Sequence, residues 1–556
     1  MLFSGYVTGN SEGHGLSSAD VLACLLLRVL PRVQRGRRKR GALQNHSAGI
    51  GDFLSRQEIY MRPKIVLFNP IPSTISRRKG VLPLALLSIA RGLDAEKYEI
   101  VIIDEAVESF PEEVVQDALC VGISAMIGYQ ISSALKLAKR IRALYPKVPL
   151  IWGGWHPSIL PEETVDSDFV DYVIRGQGEI TFSELMNALE GNKTLDSILG
   201  LTYKLNGNVK SNPDRHLSDP NGFPPLPYHL INMNKYIHAS EFGARTVTYL
   251  SSIGCPFSCG FCAEQVVYRK RWLPLSPERV ISDFKHLKEQ YKIDSIIIND
   301  SNFFTNETRV AEICKNMMSE KLNMKWGNAN GRTDQLVRYE SETWQLMCDS
   351  GLQCILTGAE TYDDGILEIM NKKATIEDTF KMTHIANEYG IKIKFSFMVG
   401  LPMANRKVSV EEEFDSVIEF INKLYNVNNK NHFLLFLYTP FPGTPLFRKA
   451  IELGYKSPDS LEAWGDFREG LNHASTPWVS MDLAEKVYQV SFYFPFISNS
   501  AYDIIKQYPL FVRWMLLPFE RMLYMIMKFR IKRKFFDFPV EFSMIKLIFK
   551  LLKRKI

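Results

Sequence analysis

The sequence predicts an α/β protein with two sheet domains in tandem, followed by a helical C-terminal region. Three observations lead there. Short β-branched, mostly apolar runs alternate with helical segments from Lys64 to about Gly200. The alternation resumes at Thr246 and repeats six times. Beyond Pro445 it stops. The expected organisation is a leader over 1–60, a doubly wound domain over 62–200, a linker over 201–243, a partial (β/α)₆ barrel over 244–445 and a helical region over 446–556.

In the first domain the strand candidates are Lys64–Phe68, Glu99–Ile103, Cys120–Ser124, Leu150–Trp152 and Phe169–Val173. Helical patterns cover Leu82–Gly92, Tyr129–Leu144 and Glu179–Leu189. Apolar runs of this kind, buried on both faces, argue for a parallel sheet with helices on each side. In the linker, Asn206-Gly207-Asn208 suggests a hairpin turn, and Asp219 to Pro227 is loop by composition. The barrel strands are Thr246–Ile253, Ser295–Ile298, Lys325–Asn328, Cys354–Thr357, Lys392–Phe397 and His432–Leu437. Helices follow the first five, including Pro277–Tyr291, Glu307–Ser319 and Val408–Leu424. Six such units read as an open relative of the (β/α)₈ design, with its chemistry at the C-terminal ends of the strands.

The leader carries a short apolar run, Asp20 to Leu30, followed by the basic stretch Arg32 to Arg40. A secretory signal has the opposite order. Met61 opens Met61-Arg-Pro-Lys64, the entry to the first strand, so residues 1–60 read as an upstream extension or a disordered leader. A net charge of +6 over 556 residues argues against a nucleic-acid binder as a whole. The eight cysteines are too few and too irregular for a disulfide framework. Five fall mostly in apolar or helical runs and read as small buried hydrophobes.

The other three form Gly254-Cys255-Pro-Phe-Ser-Cys259-Gly-Phe-Cys262, directly after the first barrel strand. Thiolates are the usual ligands of iron–sulfur clusters. Three close cysteines can hold three irons of a cubane and leave the fourth open for a ligand. Structural zinc wants four closed ligands. His286 could serve as the fourth, but there is no second C-x₂-C.

This spacing, with Phe261 before the last cysteine, resembles the radical S-adenosylmethionine superfamily. The resemblance implies a [4Fe–4S] cluster on Cys255, Cys259 and Cys262. Its open iron would chelate S-adenosylmethionine, whose reductive cleavage releases a 5′-deoxyadenosyl radical. It also implies an external electron donor of flavodoxin or ferredoxin type. Asn299 and Asp300 end the second barrel strand. Arg332 lies after the third, Glu360 after the fourth, and Ser396 with Met398 to Pro402 ends the fifth. By resemblance these line the S-adenosylmethionine site, Glu360 facing the ammonium or ribose and Arg332 the carboxylate.

Upstream, a doubly wound domain joined to such a barrel resembles the cobalamin-binding subgroup. Ile151-Trp-Gly153-Gly154-Trp-His156 matches that subgroup's turn after the fourth strand, and Arg175-Gly176-Gln-Gly-Glu179 the turn after the fifth. Small residues there let a bulky planar ring approach the sheet edge. Asn69, Ser124 and Met126 end the first and third strands and complete the face. The subgroup's Asp-x-His-x-x-Gly is missing, and Asp104-Glu-Ala-Val-Glu stands in the nearest place. His156 is the only nearby histidine, read here as stabilising its turn. The resemblance implies a cobalamin-dependent methyltransferase acting on an unactivated carbon or phosphorus centre. The alternative within the subgroup is an oxidative cyclase or ring-contraction enzyme acting on a tetrapyrrole, lipid or isoprenoid. Transfer-RNA methylthiotransferases share the domain pairing but carry extra cysteines in their first domain, where this chain has only Cys120.

The C-terminal segment from 505 onward is aromatic and basic, with Phe511, Trp514 and Phe519 among Arg513, Arg521 and many lysines. No stretch reaches the roughly 18 uninterrupted apolar residues of a spanning helix. Basic aromatic helices suit an anionic membrane interface. A cap packed on the barrel is the plainer alternative, and an RNA surface the third. The expected placement is cytoplasmic, peripheral at the inner face of the membrane, with a small-molecule or lipid-like substrate.

Overall fold

The computed structural model describes residues 62–71, 81–467, 476–498, 505 and 510–544. The leader expectation and the far end of the tail therefore lie outside the described residues.

The first sheet has seven strands, ordered β2-β1-β3-β4-β5-β6-β7. They are β1 (Lys64–Asn69), β2 (Glu99–Asp104), β3 (Ala118–Ser124), β4 (Leu150–Gly153), β5 (Tyr172–Ile174), β6 (Leu201–Leu205) and β7 (Asn208–Ser211). The first five run parallel and the last two antiparallel. Side chains alternate across a strand. Ile65 and Leu67 therefore enter one core, while Val66 and Phe68 enter the core on the opposite face. The hairpin at Asn206–Gly207 extends this sheet, so residues 201–211, read from sequence as the start of a linker, are part of it. The strand order reverses beside β1, which opens a crevice at the carboxyl ends of β1 and β3.

The barrel sheet is ordered β15-β14-β13-β12-β11-β8, all parallel. Its strands are β8 (Thr246–Tyr249), β11 (Ser295–Ile298), β12 (Lys325–Gly331), β13 (Leu352–Glu360), β14 (Lys392–Val399) and β15 (His432–Leu437). The strand expected over Thr246–Ile253 is broken. Its second half is β9 (Ser252–Gly254), which pairs antiparallel with β10 (Trp272–Pro274) in a separate ribbon. At the break the Ser251 N–H donates to the Asp300 carboxylate instead of the ladder, and the Ser251 and Ser252 hydroxyls donate to the same carboxylate.

The open edge at β15 is covered by the helix Met481–Ile497, whose Ser491 hydroxyl donates to the Leu435 carbonyl. Covering an edge removes a template for unwanted pairing. Against this layer lies the helix Leu510–Arg533, with Leu523, Met527 and Ile531 buried. Between barrel and tail the chain returns to the first domain. There the short helix Leu461–Gly465 packs on Tyr129–Leu144, with Gly128 N–H donating to Trp464 O at 3.2 Å. Among the described residues no helix is long and apolar enough to cross a membrane.

Candidate active site

The loop carrying the three cysteines is anchored on several sides. Gly260 N–H donates to Met370 O at 2.7 Å, and Leu446 N–H to Gly260 O at 3.0 Å. Gln265 Nε2 donates to Cys259 O at 2.6 Å, and Asn371 Nδ2 to Ser258 O at 2.9 Å. Cys259 is buried, while Cys255 and Cys262 are half-buried. Burial pushes the Cys255 thiol up to about 11 and the Cys262 thiol higher still. Such thiols become thiolates on binding a metal, which releases their protons. Among the described residues no three His, Cys, Asp or Glu side chains close on a single metal ion. A cubane does not require that convergence, because each thiolate takes its own iron. Three cysteines on one loop are a donor set that a cubane takes. His286, the candidate fourth zinc ligand, lies in an aromatic group with Tyr228 and Tyr291.

Around this loop the barrel edge brings together buried charges. Arg332 Nη1 donates to Cys259 Sγ at 3.1 Å, and its guanidinium lies 4.1 Å from the centre of the Phe257 ring. Glu360 ends β13 at a register shift, with φ +65°. Its Oε1 accepts from Lys372 Nζ at 2.6 Å, while Oε2 is buried without a partner. That vacant acceptor fits the ammonium or ribose hydroxyl of S-adenosylmethionine. Burial alone would lower the Lys372 ammonium, but the Glu360 carboxylate and Cys259 hold it above its ordinary range. Its Nζ lies 5.8 Å from the centre of the Phe261 ring. Ser396 is buried on β14 opposite Gly358, on the same edge as Glu360.

Asp300 stands apart from this group in role. Its Oδ1 accepts from Ser251 N–H, and its Oδ2 from the Ser251 and Ser252 hydroxyls, all at 2.6 Å. Arg309 backs the arrangement through Ser251 O and Leu275 O. Asp300 thus braces the root of the cysteine loop. Asp300 is fully buried at the end of the second barrel strand.

The edge of the first domain is different in kind. Ser124 and Gly153 lie side by side on β3 and β4. Gly154 has φ +101°, and a Cβ there would meet Ala125 O at 2.7 Å, so only glycine permits this close turn. Gly176, with φ +69°, faces a crevice of about 410 Å³ shared with Ser158, Val267 and Tyr268 and lined by Arg175, Arg215, Arg269, Arg271 and Asp214. Asn69 donates to Asp104 at 3.0 Å and so ties β1 to β2. Glu179 does not join this face. It forms a buried ion pair with Arg91 at 2.8 Å, because it opens a helix packed on Leu84–Arg91. His156 is buried beside Trp464, and burial lowers its pKa to about 3. Its Nε2 has no partner, and the ring lines a small apolar cavity with Met126, Trp155 and Phe441. Its backbone N–H donates to Ala125 O at 3.4 Å across the turn. The glycine turns and this neutral, apolar wall fit a large planar cofactor such as cobalamin.

The two edges face each other. Trp155 packs with Ala263 and Phe441, and its ring lies 6.1 Å from that of Tyr268. Residues 74–186 match the B12 binding domain, and residues 249–443 match the radical SAM superfamily. An uncharacterized methyltransferase of Pyrococcus horikoshii is 31% identical over 399 residues, covering 70% of this chain and 83% of that protein. This protein belongs to the cobalamin-dependent radical S-adenosylmethionine methyltransferase family. Its cofactors are accordingly a [4Fe–4S] cluster, S-adenosylmethionine and cobalamin. The cytidylyl-2-hydroxyethylphosphonate methyltransferase of Streptomyces wedmorensis is 23% identical, covering 76% of this chain and 88% of that protein. In fold, this family member resembles the cobalamin-dependent radical enzyme OxsB, with a TM-score of 0.64 at 18% identity over 85% of this chain and 72% of that one.

Three site residues escaped the sequence reading. Lys372, in Met370-Asn371-Lys372-Lys373, reads as a solvated loop lysine, and nothing local marks it as buried. Phe257 was legible as part of the cysteine loop but gave no hint of its cationic neighbour. Glu264, two residues beyond Cys262, is buried and accepts from Ser301.

Proposed function

We propose that this enzyme transfers a methyl group from cobalamin to an unactivated carbon or phosphorus centre of a small-molecule or lipid-like substrate. The observation that carries the reading is the apposition of the two sheet edges, which gives both cofactors access to one cleft. When bound, the cluster with S-adenosylmethionine supplies radical activation and cobalamin supplies the methyl group. Cys255, Cys259 and Cys262 ligate the cluster, and Glu360 takes the S-adenosylmethionine ammonium or ribose. Phe261, Met370 and Leu401 form an apolar cluster with Cys259 that keeps water from it. Gly153, Gly154 and Gly176 admit the corrin, and Ser124 lies beside Gly153. A flavodoxin- or ferredoxin-type protein supplies electrons.

The test is anaerobic reconstitution with S-adenosylmethionine, cobalamin and candidate substrates, followed by mass spectrometry. Methylated product with S-adenosylhomocysteine supports the reading. A cyclised or ring-contracted product without added methyl would select the alternative chemistry. The triple Cys→Ala variant should lose visible iron–sulfur absorbance and make no 5′-deoxyadenosine.

A lipid-like substrate is favoured by the outer face of Leu510–Arg533. Trp514 is 84% exposed, and Met525 and Phe529 are each 58% exposed, beside exposed Arg521, Lys528 and Lys532. An apolar stripe rimmed by cations suits an anionic bilayer surface, each cation near it adding on the order of 1 kcal/mol. This would hold the enzyme at the cytoplasmic face of the membrane. The full chain should co-sediment with anionic vesicles, less so at high salt. Equal sedimentation of a Trp514→Ser, Phe529→Ser variant would count against it.

A further inference from the structure

We infer that Arg332 sets the reduction potential of the cluster through its hydrogen bond to Cys259, rather than clamping the carboxylate of S-adenosylmethionine. This rests on the reading that Cys259 ligates the cluster. An arginine has five N–H donors in a rigid fork. Here Nε donates to Asp334 Oδ1 at 2.9 Å, and Nη2 donates to Asp334 Oδ2 at 3.2 Å and to the Lys372 carbonyl. Nη1 donates to Cys259 Sγ at 3.1 Å. Asp334 thus takes the face of the fork with which an arginine would grip a carboxylate in bidentate fashion. The plane of the fork is fixed by Phe257 at 4.1 Å, itself part of the cysteine loop.

What remains is Nη1, and one of its two N–H donors is aimed at a ligand sulfur. The side chain is buried, so the bond is not shared with solvent. Reducing the cluster adds negative charge that is spread partly onto its thiolate sulfurs. A charge-assisted N–H···S bond stabilises that reduced form more than the oxidised form and raises the potential. Asp334 neutralises the charge of Arg332 as seen from afar, as Glu360 does for Lys372. The directed bond, not the net charge of the site, is therefore the main local lever. Lysine has no fork, so it would have to give up either Asp334 or the sulfur.

The experiment is an EPR-monitored redox titration of the reconstituted holoenzyme, with iron content and S-adenosylmethionine affinity measured on the same samples. Arg332→Met should shift the midpoint to a more negative potential, with full iron content. Arg332→Lys should shift it less. Phe257→Leu, which removes the stacking ring but not the donor, should move it least. Affinity for S-adenosylmethionine should change by only a few-fold. An unchanged midpoint in Arg332→Met with full iron would overturn the inference, and an unchanged midpoint with strongly weakened affinity would restore the carboxylate role. Loss of iron in both Arg332 variants would also overturn it, showing a structural clamp. Failure of the ligand reading is separately visible, because Cys259→Ser would then retain the wild-type cluster spectrum.

Discussion

The two sheet edges that face each other in this enzyme solve opposite problems. At the barrel edge, Arg332, Asp334, Lys372 and Glu360 are all buried and interlocked as ion pairs. At the first-domain edge, glycine turns and a small apolar cavity beside one neutral histidine adjoin a crevice lined by Arg175, Arg215, Arg269, Arg271 and Asp214. The difference follows from what each edge must hold. A small zwitterion and a charged cluster need fixed charges in a dry site, where these act strongly. A broad, nearly neutral ring needs room and close backbone approach. At the barrel edge charge is therefore buried in pairs, while on the other side space is made by omitting side chains and the charged groups line the crevice beside it.

Breaking the ion pair at the barrel edge should have the largest effect. Lys372→Met leaves the Glu360 carboxylate buried without its cation, at a cost of about 3–5 kcal/mol. The companion Glu360→Gln, Lys372→Met variant should recover most of this stability. Denaturant unfolding of the two proteins checks it; equal stabilities would show that the pair is not coupled.

At the opposite edge, Gly154→Ala places a Cβ in a left-handed turn against Ala125 O. The strain should be about 1–3 kcal/mol, with cobalamin uptake reduced and cluster content unchanged. Absorbance of bound cobalamin and iron content, read on one sample, separate the two edges. Loss of both together would mean that they do not fold independently.

The smallest effect is the pH dependence that His156 contributes in the first domain. The folded His156 stays neutral down to about 3. The unfolded chain takes up that proton near pH 6.5, so the unfolded state binds more protons and falling pH favours it. Between pH 6.5 and 5.5 the loss should be about 1 kcal/mol. His156→Leu should remove this component in cofactor-free protein followed by urea unfolding at both pH values. The same slope in wild type and variant would mean that His156 is not the group responsible.

Much of this was legible locally. A continuous apolar run of about four to eight residues marks a strand buried on both faces wherever it stands. That is why Ser295–Ile298 and His432–Leu437 could be read to the residue. The same holds for Tyr129–Leu144 and Pro277–Tyr291 as helices. The spacing of Cys255, Cys259 and Cys262 is likewise a local property, because one loop must supply all three ligands. Gly154 and Gly176 marked sharp turns at the edge of the first sheet, since both have a positive φ that favours glycine.

Other features depended on distant partners. Asp300 and Glu360 both end barrel strands, and nothing in the sequence says that one is saturated by Ser251 and Ser252 while the other keeps a vacant oxygen. Glu179 follows a glycine turn like a ligand-facing residue, but Arg91, 88 positions away, takes it. The break between β8 and β9, the burial of Lys372 and the return of Trp464 to His156 arise in the same way. A strand, a helix or a cysteine loop is decided by neighbours within a few residues, whereas the partner of a buried charge is decided by which distant segments the fold brings within hydrogen-bonding distance.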